Sequence, residues 1–331
     1  MDGSQSEPEG LDEHSPQFGA EAITPYVPVG LQSAAEDARR KRQELIRNYH
    51  QRLARMWRVA AVLFVATCFS TWLALGLTYS IAVMSILLAH EFGHYLQARR
   101  HGVPASPPFF IPFPISPIGT MGAVIAQAGG VANRKQMFDI AITGPLAGLA
   151  VAFPIAWYGI AHWDFSSVLP EGDNSRLGNP LILQWLMQSF HGQRNLSFEL
   201  ETNPLYFAGW VGIFITALNL MPIGQLDGGH ILYCLIGRRA HACALLVVTG
   251  AVVYMAYTRD FGYAVMLMMI LWMGTRHTRT ADDRVPLGAF RVVLGWLTLG
   301  FVLFGFTPQP IFQLEVEPSQ ERIPNPLNQD E

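Results

Sequence analysis

Between residues 57 and 306 apolar runs alternate with short polar breaks, and this pattern limits the fold more than any other feature. A helix needs about 20 apolar residues to cross the hydrocarbon of a bilayer. Runs near that length occur at 57–77, 80–98, 138–160, 205–221 with an apolar continuation, 242–257, 261–274 and 288–306. The fifth and sixth are short, are separated by "TRDFG", and equally suit one bent hairpin. Half of the 331 residues are apolar and only 14% are charged, too few charges for the surface of a soluble enzyme of this length. The expected fold class is therefore an all-α polytopic membrane protein with about seven transmembrane helices.

One apolar stretch cannot be such a helix. "GVPASPPFFIPFPISPIGTMGAVIAQAGG", from residue 102, is crowded with prolines and glycines, which remove helix donors and break helix geometry. It is expected to be a cytoplasmic-side, membrane-associated loop with short strands, dipping only where protein shields its backbone. "TMGAVIAQ" is its best strand candidate.

Charge sets the orientation. Residues 1–30 hold six acids and no base, and 1–35 reads as a disordered acidic tail. "ARRKRQELIRNYHQRLARMWR" packs eight bases directly before the first apolar run, so 36–56 reads as a basic juxtamembrane helix on the cytoplasmic side, serving topology and anionic lipid rather than nucleic acid. The membrane domain is then 57–306, with 161–204 as an extracytoplasmic loop that contains a short amphipathic helix, and 307–331 as a tail on that same outer side. No cleavable signal peptide is expected ahead of so late an apolar run. The leader is unlike an acid-poor transit peptide, which makes a bacterial cytoplasmic membrane the expected location. Cys68, Cys234 and Cys243 lack metal or disulfide spacing and read as small buried hydrophobes.

The second run ends in "HEFGH". Residues four apart share a helix face, so His90 and His94 can aim two imidazoles at one ion while Glu91, one step on, reaches a water beside it. Each ionisable group within a span costs about 2.5–3.5 kcal/mol, which makes such groups functional by default. The other deeply placed acid is Asp227, in "TALNLMPIGQLDGGH", where Pro222, Gly224, Gly228 and Gly229 interrupt the helix and turn a carboxylate inward. His90 lies about 15 Å from residue 80 at 1.5 Å per residue, in the inner half of the membrane, as does Asp227 after an inward-running span. His90, His94 and Asp227 are thus the expected metal ligands, and Glu91 the general base, of a zinc site with one position left open. His101 and His230 read as interfacial or supporting groups. Asp139 and Arg291 sit at the starts of spans, within reach of the interface. Gly144 and Gly148 read as a small-residue helix contact.

"HEFGH" on one span with "NLMPIGQLDGG" on a later one resembles the site-2 protease family of intramembrane zinc metalloproteases. "GTMGAVIAQ", "DIAITGPLAG" and the block beginning "NPLYFAGW" are most similar to its branch without inserted PDZ domains, which includes plastid members of plants. The likeness covers roughly residues 57–275. It implies zinc on His90, His94 and Asp227, water activation by Glu91, and substrate holding by Asn219. The expected function is a zinc metalloendopeptidase that cleaves a single-span membrane protein within or beside its transmembrane helix. The alternative is a catalytically silent metal-binding membrane chaperone or transporter, which the concentration of polar groups in one membrane half disfavours.

Overall fold

The computed structural model describes residues 29–127, 129–163, 175–192, 203–259, 267–268, 280–307 and 311–313; described side chains begin at residue 51 and leave out 175–177 and 311–313. The chain divides into a unit up to Arg52 and a second from Leu53 onward. In the first, the backbone is helical from Val29.

A continuous helical segment, α1 (Val29–Arg100), carries the first two expected spans, but its backbone leaves helical geometry at Leu75 and Gly76, where glycine takes φ 82° and ψ 179°. Only glycine adopts that conformation without strain. The chain folds back on itself there: Trp57 meets Tyr95 with ring centroids 5.8 Å apart, and the Thr71 and Ser80 hydroxyls lie 2.8 Å apart. The two runs are therefore an antiparallel helical hairpin, with the motif histidines on its second arm.

The Pro-rich stretch forms a β-hairpin, β1 (Phe109–Pro112) antiparallel to β2 (Thr120–Val124), with Phe109 opposite Val124 and an irregularity between Phe110 and Pro112. The strand expected from "TMGAVIAQ" is present. The loop, expected on the cytoplasmic side and dipping where protein shields it, reaches the bend of the helical hairpin. Its tip accepts hydrogen bonds from Ser70 Oγ to the Gly119 carbonyl (2.6 Å) and from the Tyr79 hydroxyl to the Ile118 carbonyl (2.8 Å), on either side of the Gly76 bend. Prolines explain how this is affordable in an apolar setting. Pro107, Pro108, Pro112, Pro114 and Pro117 offer no N–H that hydrocarbon would leave unsatisfied. Phe110 is buried against Phe64, whereas Ile115 at the tip is 88% exposed.

α2 (Arg134–Ala161) begins with a capping box, in which the Asn133 side chain accepts from the Gln136 N–H and the Gln136 side chain accepts from the Asn133 N–H. It packs along α4 (Pro204–Asn219), a 16-residue helix that is buried over most of its length, with Trp210 1% exposed. Small residues permit the approach: Ala156 and Gly159 of α2 stand against Gly209 and Tyr206 of α4, and Gly212 against Ile86 and Ala152. The small-residue contact expected at Gly144 and Gly148 is thus made further along α2.

After α4 the chain breaks at Leu220–Leu226 and resumes as α5 (Asp227–Ile236) and α6 (Arg239–Thr258). α3 (Leu181–His191) lies within the 161–204 segment, with Leu183 and Met187 buried and Trp185 exposed. α7 (Ala289–Gly300) and α8 (Val302–Gly305) close the helical part, and β3 (Ser175–Leu177) pairs antiparallel with β4 (Ile311–Gln313).

Three described helices are long and apolar enough to cross a membrane, Gln51–Arg100, Arg134–Ala161 and Arg239–Thr258; Pro204–Asn219 and Ala289–Gly305 are apolar but shorter. The fold is a mostly helical membrane protein, Gln51–Arg100 doubling back on itself, with two small two-stranded sheets among the described residues. Among the described residues, three helices meet both length and composition, and the count of seven crossings stays an expectation. The sixth expected span, 261–274, falls outside the described residues apart from 267–268.

Candidate metal centre

Three elements deliver the polar groups to one point. The second arm of α1 presents His90 and His94 one turn apart, both buried, at 4% and 8% exposure. Asp227 stands at the first turn of α5, where the preceding loop coils so tightly that a Cβ on Gly228 would collide with the Leu220 carbonyl and one on Gly229 with that of Gly224. Glycine is needed at both positions for Asp227 to face inward.

The donor atoms form a nearly equilateral triangle. His90 Nε2 and His94 Nε2 each lie 3.2 Å from Asp227 Oδ2, and 3.2 Å from one another. His94 Nδ1 lies 2.8 Å from the Ile140 carbonyl, which can only accept, so Nδ1 carries the proton and Nε2 of the neutral ring presents its lone pair to the triangle. Nitrogen and carboxylate atoms this close repel one another unless a metal ion or a proton lies between them. A tetrahedral zinc shell with bonds of about 2.0–2.1 Å sets its ligand atoms roughly 3.3 Å apart, and two imidazoles plus a carboxylate are zinc donors. The donor types and spacing of His90, His94 and Asp227 therefore fit the ion.

Room for the imidazoles comes from α2. A Cβ on Gly144 would overlap the His94 ring, and one on Gly148 would stand 3.0 Å from His90 Nδ1. These glycines, expected to pack helix on helix, instead cradle the two rings. Gly93, between the histidines, similarly lets α1 approach the Thr143 carbonyl, and the Thr143 hydroxyl donates to the Gly93 carbonyl (3.1 Å).

Glu91 is 5% exposed, and among the described residues its carboxylate forms no hydrogen bond. It faces a 420 Å³ cavity shared with His90, His94, Asp227, Asn219, Gln127 and His230. The Asn219 amide nitrogen lies 3.5 Å from His90 Nε2. β2 walls the same space, since Met121, Gly122 and Ala123 line a smaller recess with Glu91 and Asn219. His230, expected as a supporting group, lines the cavity. His101 lies outside it and is bonded to Asp139 (3.2 Å). Sequence reasoning missed the site's supporting groups, the Ile140 carbonyl and the Gly144 and Gly148 cradle; only the spacing "TGPLAG" could have signalled them.

Fold and centre together define a helical membrane protein in which His90 and His94 of an H-E-x-x-H helix meet Asp227 of α5 in a group of three donors that could hold a metal ion. The profile of Peptidase family M50 matches residues 78–257, more than half of the chain, and the chain belongs to that family. The resemblance to the site-2 protease family drawn from "HEFGH" and "LDGG" stands on the same footing.

Relatives include a rice (Oryza sativa subsp. japonica) protein named Probable zinc metalloprotease EGY1, chloroplastic, 35% identical over 50% of this chain and 29% of its own length. The Arabidopsis thaliana protein of the same name is 30% identical over 71% of this chain and 43% of its own. A rice (subsp. indica) protein named Probable zinc metalloprotease EGY2, chloroplastic, is 27% identical over 73% and 45%. The chain spans less than half the length of these relatives. Their names place them in the chloroplast, and they lend no support to the bacterial membrane expected from the leader.

Proposed function

We propose that the chain is a zinc metalloendopeptidase working inside the membrane on a peptide bond of another membrane protein, in or beside a single transmembrane helix. The observation that carries this reading is the 3.2 Å triangle of His90, His94 and Asp227 with a buried Glu91 beside it that forms no hydrogen bond among the described residues. His90, His94 and Asp227 would hold the zinc, which when bound would supply Lewis acidity for acidifying water and polarising a peptide carbonyl. Glu91 takes the proton from the attacking water and returns it to the leaving amine. Asn219, against His90, offers its amide to the substrate backbone.

A transmembrane helix hides its carbonyls in hydrogen bonds, so the substrate must unwind before attack. Among the described residues β2 pairs with β1 alone, and its Ala123 and Val124 line the cavity; an unwound substrate segment adds to β2 there as a further strand. The N-terminal basic block stays cytoplasmic, and the outer side carries 161–204 together with the C-terminal tail. Pairing of β3 from the first with β4 from the second supports placing the two on one side.

The test compares membranes containing wild-type protein with membranes containing Glu91→Gln. Zinc content is expected to be unchanged while single-span membrane proteins accumulate uncut in the variant. Equal cleavage by both proteins, in a zinc-loaded purified preparation, would remove the reading.

A further inference from the structure

Asp139 and Arg291, expected to reach separately toward the membrane interface, bind each other. Arg291 Nε donates to Asp139 Oδ1 (2.6 Å) and its terminal Nη2 donates to Oδ2 (3.1 Å), a two-pronged grip on one carboxylate. His101 Nε2 lies 3.2 Å from the same Oδ2, and the Gln97 amide nitrogen 3.2 Å from His101. The cluster is half sheltered, with Asp139 13% and Arg291 29% exposed, and it ties the end of α1, the start of α2 and the start of α7 together.

Two contacts connect this clamp to the metal centre. Asp139 immediately precedes Ile140, whose carbonyl fixes the His94 ring. One turn beyond Arg291, Gly295 lets α7 press onto both neighbours: a Cβ there would stand 2.8 Å from the Phe138 ring of α2 and 3.2 Å from Leu235 of α5. α2 supports His94, and α5 begins with Asp227. A single helix, which lies beyond the 78–257 segment shared with the family, thus braces the two elements whose separation sets the 3.2 Å triangle.

We propose that Arg291 is a positioning residue for the metal centre. By gripping Asp139 it locks α7 against α2 and α5 and holds the Ile140 carbonyl, and through it His94, in register with Asp227. The inference rests on the reading of His90, His94 and Asp227 as zinc ligands.

The experiment uses the full chain in detergent or nanodiscs and measures zinc affinity by chelator competition and the visible spectrum of the cobalt-substituted protein. Arg291→Gln and Asp139→Asn are each expected to weaken zinc binding by about tenfold, the range for loss of a group that orients a ligand, and to shift the cobalt bands. Restoring the pair in reverse, Asp139→Arg with Arg291→Asp, should recover both. If Arg291→Gln does not fold, Arg291→Lys keeps the charge but loses the fork, and should still weaken binding and shift the bands. A folded Arg291→Gln, or in its place Arg291→Lys, with wild-type zinc affinity and an unchanged cobalt spectrum, would overturn the proposal. His94→Ala in the same preparation separates the two ideas: if it retained zinc, the ligand assignment would fail, whereas normal loss of zinc there beside unaltered Arg291 variants would sink the clamp alone.

Discussion

The cradle of α2 behind the two imidazoles makes Gly144→Ala the most telling single substitution. The methyl would overlap His94 Nε2 by more than about 1 Å against an ordinary contact of roughly 3.5 Å. His94 cannot simply swing away, because its Nδ1 is tied to the Ile140 carbonyl at 2.8 Å. Metal–ligand distances tolerate about 0.2 Å, so the required shift is several times what the centre can absorb. Loss of a group that merely orients a ligand costs about 10–100-fold in affinity, and displacement of a ligand itself should exceed about 100-fold.

Gly148→Ala meets His90 Nδ1 at 3.0 Å and needs only a few tenths of an ångström, for a loss of a few fold. Gly250→Ala, in α6 with nothing within 4 Å of its Cβ, should leave zinc untouched and stabilise its helix by about 0.5–1 kcal/mol. Zinc retained after dialysis against a graded chelator, read by elemental analysis, ranks the three. If Gly144→Ala held zinc as well as Gly250→Ala, the histidines could not be lodged against that face of α2, and the geometry of the site would be wrong.

Two other regions give sharp expectations. Gly119 holds φ 77° and a Cβ there would stand 2.7 Å from the Thr71 Cα, so Gly119→Ala should release the tip of the β-hairpin from α1 and make 113–119 a protease-sensitive site in folded protein; unchanged resistance in limited proteolysis would refute the docking. The Asp283 carboxyl is held below its usual 3.8 by hydrogen bonds from the Thr280 and Tyr233 hydroxyls, with Arg134 nearby. A depressed folded value means its stabilisation is complete above the usual value and fades as pH falls through the lower one. The difference in thermal stability between wild type and Asp283→Asn should therefore narrow from about pH 5 to about pH 3; a constant difference would contradict it.

The sequence by itself determined what is local or forced by the bilayer. His90, Glu91 and His94 could be read because four residues span one helical turn, and that relation holds wherever the helix lies. Asp227 could be read because a carboxylate is rare and costly in an apolar segment and needs a partner. The strand in "TMGAVIAQ" was legible because proline and glycine exclude the helix there.

Long-range packing decided the rest. Proline content says what the 102–130 stretch cannot be, but not how far it reaches; that depends on Ser70 and Tyr79, on either side of the Gly76 bend, donating hydrogen bonds to its tip. A pair of glycines four apart is the same string whether it meets a helix or a histidine ring, and at Gly144 and Gly148 the neighbour proved to be the rings, with the close helix contact moved to Ala156, Gly159 and Gly209. Asp139 and Arg291 stand 152 residues apart, and no periodicity relates them. Only the fold of α7 across α2 and α5 makes them a pair, since the energy that joins them depends on distance in space and not along the chain.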